Sequence, residues 1–174
     1  MKLGTKALAA VRAALKDENA QIKDAAIRAL SGWPDVTVLD DLLDLATTAP
    51  EANQKIIALR GYVRLVGLPS KRPPAAALKM YQQAMAAATR PDEKKLILGG
   101  LGQVRHVEAM KMAEGCLGDK ALTEEAAAAV VNIAKAIGKA HKAEAAQALT
   151  KVTQESKDKR VRRDAANLLK QFKK

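Results

Sequence analysis

Leu15-Lys16-Asp17-Glu18-Asn19-Ala20-Gln21-Ile22-Lys23-Asp24-Ala25-Ala26-Ile27-Arg28-Ala29-Leu30 is the stretch that decides the fold, because its second half returns near the other end of the chain. There it reads Val161-Arg162-Arg163-Asp164-Ala165-Ala166-Asn167-Leu168-Leu169. Both copies run branched apolar residue, cation, alanine at the fifth place and leucine at the ninth. A segment that recurs is a unit of construction, one that cannot bury its own apolar face and gains stability by stacking on its neighbours. Weaker copies lie between. Lys55, Ala58, Gly61 and Tyr62 take the places of Lys23, Ala26, Ala29 and Leu30 at an offset of 32 residues, and Lys94, Ile97, Gly100 and Leu101 take them 39 further on. Ala129, Asn132 and Ile133 follow after another 32, and Ala165 after 36.

Each copy is the second helix of a pair. The spacing predicts an all-α chain of about five antiparallel helix pairs forming one domain over residues 1–174, with units near 5–32, 35–67, 75–104, 106–138 and 142–172. The first helix, Thr5 to Lys16, stacks Leu8, Val11 and Leu15 toward the core and leaves Ala7, Ala9, Ala10, Ala13 and Ala14 on its other faces. The second is expected to bury Ile22, Ala26, Ala29 and Leu30 and to end at a left-handed Gly32, with Pro34 blocking continuation and Asp35 capping the next helix. Later helices are expected at Val36–Thr48, Ala52–Val66, Ala75–Thr89, Asp92–Val104 and His106–Leu117, then in a helix N-capped by Thr123 that carries Ala129, Asn132 and Ile133, and at Lys142–Gln154 and Asp158–Phe172. The loop from Gly67 to Pro74 absorbs the seven extra residues of the longer offset. Gly99, Gly100 and Gly102 are costly inside a helix, and close approach of a neighbouring helix is the expected reason.

Composition agrees with close-packed helices. Apolar residues make up 48 % of the 174, yet only four are aromatic, so Ala, Leu, Val and Ile carry the apolar weight. A chain this long can bury a sizeable core. The lone Cys116 excludes an internal disulfide, so no oxidising compartment is needed. No apolar run reaches the ~20 residues of a membrane span, and the N-terminal segment is broken by Lys6 and Arg12, unlike a signal-peptide core. The chain therefore reads as soluble and cytoplasmic as it stands, within a parent protein that an export route would also suit.

Units of this length, with Leu15-Lys16-Asp17 before Ile22-Lys23, Ala26 and Ala29-Leu30, resemble HEAT repeats. The fifth unit is close at Val161-Arg162, whereas Gln54, Glu93 and Glu125 stand where the family has a branched apolar residue and Ala126 where it has a cation. More narrowly, Trp33-Pro34-Asp35, the segment from Ala58 to Leu65, Thr89 to Lys95 and Ala126 to Ala134 resemble the HEAT-like domain at the C-terminal end of large multidomain proteins of environmental bacteria. The resemblance implies a right-handed α-solenoid without catalysis, attached to other modules. The bare alanine face of the first helix agrees with a domain cut from a longer protein. It predicts a monomer, or weak self-association through that helix.

Chemistry-bearing residues are sparse. His106 and His141 lie 35 residues apart, about one unit, at equivalent helix starts. With one unassisted Cys116 they make no nucleophile, base and orienter set and no metal-ligand spacing, so no enzyme, cofactor or metal is expected. Thr123 followed by Glu124 and Glu125 is a helix start, where the dipole favours anions. What stands out is charge. Net charge is +11, and residues 1–50 carry −1 of it against +6 each for 51–115 and 116–174. Lys23, Lys55, Lys94 and Arg162 recur in one slot of the second helix, with Arg28 and Arg60 five residues on in the first two units. They are the candidate binding face. Two readings stay open: a basic row that draws an acidic protein partner or neighbouring domain, or a ladder in which each cation pairs with an acid of the adjacent unit. The competing function class is a nucleic-acid binder similar to the HEAT-like DNA glycosylases, suggested by the charge and opposed by the shortage of aromatics.

Overall fold

The structure, a computed structural model, describes residues 2–172, with side chains from residue 6 onward. Among the described residues there are ten α-helices and no strand. They are α1 (Lys2–Ala14), α2 (Ala20–Ser31), α3 (Leu39–Thr48), α4 (Ala52–Val66), α5 (Pro74–Ala87), α6 (Pro91–Leu101), α7 (Val107–Glu114), α8 (Thr123–Ile137), α9 (Lys142–Glu155) and α10 (Lys159–Phe172), with a 3-10 turn at Val36–Val38. The chain divides into two compact units. Unit 1 is Met1–Leu68 with Ala86–Ala88, and unit 2 is Pro69–Met85 with Thr89–Lys174.

In unit 1, α2 packs on α1, α3 and α4, and α3 packs on α4. Asn19 starts α2, its side-chain oxygen accepting the Gln21 N–H at 2.9 Å, while its own N–H donates to Asp17. The buried face of α2 is Ala26, Ile27 and Leu30. Ile22 is 41 % exposed and Ala29 is also open, contrary to the expectation from the repeat. The buried stripe centres on Ile27 and Leu30, three residues apart, and Ile22 and Ala29 fall beside it. Gly32 does not turn left-handed. Its φ is −89°, and the helix ends through its N–H to Arg28 O and that of Trp33 to Leu30 O. Arg64 on α4 completes the end, its guanidinium donating to Ser31 O (2.9 Å) and Trp33 O (2.6 Å).

The seam between α2 and α4 is closed by Gly61. A Cβ there would lie 2.7 Å from Ser31 Cα. Ser31 Oγ donates to Ile57 O at 3.0 Å across the same seam. At the other edge Arg12 holds Asp41 through both carboxylate oxygens, tying α1 to α3. Asp35 caps the 3-10 turn, and its carboxyl is held below the usual range by the Thr37 hydroxyl and then by the Thr37 amide. On α1 Leu8 is buried and Val11 half-buried, as is Leu15 just past its end, and Ala7, Ala9, Ala10 and Ala13 face out.

In unit 2, α8 is the hub. It packs on α6, α7, α9 and α10, with α7 on α9 and α9 on α10. Its buried face holds Ala126, Ala127, Ala129, Val130, Ile133 and Ala134, residues small enough to let five helices converge. Of the α6 glycines Gly99 and Gly100 and the capping Gly102, two sit at close approaches. A Cβ on Gly100 would meet the buried Tyr81 ring, and one on Gly102 would lie 3.2 Å from Ala129 Cα. Gly99 has nothing within 4 Å. Thr123 is the first residue of α8, not its cap: its hydroxyl donates to Leu117 O and Asp119 O, stitching the preceding turn. His106 caps α7, with Nδ1 accepting the Glu108 N–H; His141 stands at the same place before α9 but makes no side-chain capping bond.

Candidate functional site

The six residues of the candidate face are distributed over both units. In unit 1, Lys23 on α2 and Lys55 on α4 are half-buried, and Arg28 and Arg60 are exposed. In unit 2, Lys94 on α6 is half-buried and Arg162 on α10 exposed, and between them the buried Ala126 of α8 interrupts the row. Among the described residues Lys23, Lys55, Lys94 and Arg162 form no ion pair, so these four cations are not rungs of an acid–base ladder. The rungs run elsewhere. Gln54, buried in the slot that Ile22 and Val161 hold in the first and last copies, donates to Asp24 at 2.9 Å between α2 and α4, and Lys95 reaches Glu125 at 3.7 Å between α6 and α8.

Reversing both Lys55 and Lys94 to Glu is therefore expected to change stability by no more than about 0.5 kcal/mol. A denaturant titration showing a larger loss would restore the ladder.

Positive charge is concentrated in unit 2, which holds 21 cations against 11 anions, a balance of +10; unit 1 holds nine against eight. Three surface features there are shaped mostly by side chains outside the repeat slots. A groove of about 360 Å³ runs between α8 and α10, lined by Asn132, Lys135, Arg160, Asp164, Asn167 and Gln171. Asn132 also borders a smaller hollow of about 180 Å³ with Gln103 and Arg105. On the other flank of α10 lies a hollow of about 400 Å³ formed by Thr153, Lys159, Arg162, Arg163 and Ala166. Of the six candidate cations only Arg162 borders these hollows. The signal for the rest was in the sequence: Asn132 and Asn167 fall 35 residues apart, about one unit, and five cations crowd into residues 157–163.

A carboxylate on α8 holds the α9–α10 turn. Glu124 accepts from the hydroxyl of buried Ser156 (2.6 Å) and from the N–H groups of Lys157 (2.8 Å) and Asp158 (3.4 Å). These bonds, the Ser156 hydroxyl first, hold its carboxyl below the usual range. Burial pushes the Cys116 thiol up, with Asp119 adding to the effect and Lys94 opposing it, and the thiol donates to Met112 O. That favours the unreactive protonated form. Among the described residues no three His, Cys, Asp or Glu side chains gather as metal ligands, and no helix is long and apolar enough to cross a membrane.

No family model, curated protein or solved structure matches the chain. The class the fold and surface define is an all-α protein of packed helices with a strongly basic second unit.

Proposed function

We propose that the protein is a non-catalytic interaction module, built in each unit from HEAT-like helix pairs, that docks an acidic protein segment. That segment belongs to a partner protein or to a neighbouring domain of the same polypeptide. The observation that carries this reading is the +10 balance of unit 2 beside a groove whose lining holds three carboxamides and two cations against the single acid Asp164. Carboxamides both donate and accept, so they suit a polypeptide main chain, and cations alongside select acidic side chains and speed their arrival.

Nucleic acid is the second reading, favoured by the same charge. Against it, Tyr62 and Tyr81 are buried and Trp33 and Phe172 half-buried, which leaves no exposed platform for bases among the described residues. The test is an anisotropy titration of a labelled peptide of alternating Glu and Thr beside a single-stranded oligonucleotide of equal charge. The peptide is expected to bind at ~50 mM salt and to weaken roughly tenfold by ~200 mM, with the oligonucleotide no tighter. Absence of peptide binding at ~50 mM overturns the proposal.

A further inference from the structure

Five cations stand within seven residues at the α9–α10 corner: Lys157, Lys159, Arg160, Arg162 and Arg163, all exposed. The placement works against the helix. Cations at an amino-terminal turn oppose the dipole, α10 has no acid in its first turn, and like charges three and four residues apart repel. Ion pairing offsets little of this. Among the described residues Lys157, Lys159, Arg160 and Arg162 form no ion pair, and Arg163 has only its chain neighbour Asp164, at 3.5 Å. Asp158, the one acid among the five, is occupied by the N–H groups of Arg160 and Val161. The helix end is thus already capped, and what the corner offers a ligand is side chains. The corner is also held in place, through the Glu124 bonds to Ser156, Lys157 and Asp158. A locally unfavourable arrangement held rigid marks a functional surface.

We infer that this corner is the contact element for an extended acidic peptide, an inference that rests on the protein-binding reading above. Lys159 and Arg163 are about 6 Å apart along the helix axis. Alternate residues of an extended strand are about 6.6 Å apart. Acids at every second position therefore match successive turns of α10, and the hollow between Thr153, Lys159, Arg162 and Arg163 takes the intervening side chain. A nucleic-acid strand fits less well. The cation focus is short and is bracketed in the chain by Glu155 and Asp164, so a continuous phosphate track would run onto like charge.

The test uses the full chain and the alternating Glu–Thr peptide. Lys159→Glu/Arg162→Glu/Arg163→Glu should cut the association rate at least about tenfold at ~50 mM salt. Its melting temperature should stay at or above that of the parent, because the substitutions relieve the dipole conflict. A control of equal charge change, Lys120→Glu/Lys139→Glu/Lys142→Glu, reverses exposed cations elsewhere on unit 2 and should retain most of the rate. Equal loss in both variants assigns binding to the general field and overturns the corner. A parent protein that fails to bind the peptide overturns the protein-binding reading itself. Tighter binding of the oligonucleotide, lost on corner reversal, overturns the peptide assignment in favour of nucleic acid.

Discussion

Gly61→Ala is expected to destabilise unit 1 by roughly 1–3 kcal/mol, although alanine is the better helix former. The added methyl would stand 2.7 Å from Ser31 Cα, 2.9 Å from its Cβ and 3.1 Å from its carbonyl oxygen. Two of those atoms are backbone, so a rotamer change cannot make room. The seam must open, and with it go the Ser31–Ile57 and Arg64–Ser31 hydrogen bonds. The propensity gain of about 1 kcal/mol for replacing a helical glycine offsets only part of this. Gly99→Ala supplies the contrast. Exposed, helical and with nothing within 4 Å, it should stabilise by about 0.5–1 kcal/mol. Denaturant unfolding of both variants measures the pair, and equal signs would contradict the α2–α4 packing described.

Glu124→Ala is expected to cost about 2 kcal/mol, a fall in melting temperature of roughly 4–8 °C for a chain of this size. It strips the acceptor from the buried Ser156 hydroxyl and from the Lys157 and Asp158 amides. Glu124→Gln should cost less, since one acceptor oxygen remains. The pH dependence follows from the lowered carboxyl: a group whose folded value is depressed contributes fully above the unfolded value and loses that contribution as pH falls through the folded one. The gap in stability between parent and Glu124→Ala should thus hold near neutrality and shrink as pH drops below the ordinary carboxylate range. A gap independent of pH would show that the charge on Glu124 plays no part. The same substitution loosens the segment carrying Lys157 to Arg163, so acidic-peptide binding should fall with it.

Much of the fold was legible because its determinants are local. The bounds Ala52–Val66 came out as the periodicity implied, Asp35 caps at the expected place although the turn it caps is a 3-10 one leading into α3, and Gly100 and Gly102 mark real close approaches. What escaped is decided between elements. Ile22 and Ile27 are equally apolar, and only the placement of α1, α3 and α4 determines that Ile27 is buried. Gly32 offered a left-handed turn that Arg64, 32 residues away in the chain, made unnecessary. Glu124 resembled one more acid at a helix start, yet its bonds reach 32 to 34 residues ahead. The candidate site divided along the same line. A repeat slot placed Lys94 and Arg162 in register, but Ala126 breaks their row, and the cations and carboxamides around α10 gather through packing of α8, α9 and α10.

The most direct test of the account is a residue-resolved amide exchange measurement on the full chain, with and without the alternating Glu–Thr peptide at ~50 mM salt. Protection gained over the α9–α10 turn, the first turns of α10 and the facing stretch of α8, with unit 1 unchanged, is the predicted result. Protection confined to unit 1, or spread evenly over both units, would contradict a docking surface on unit 2.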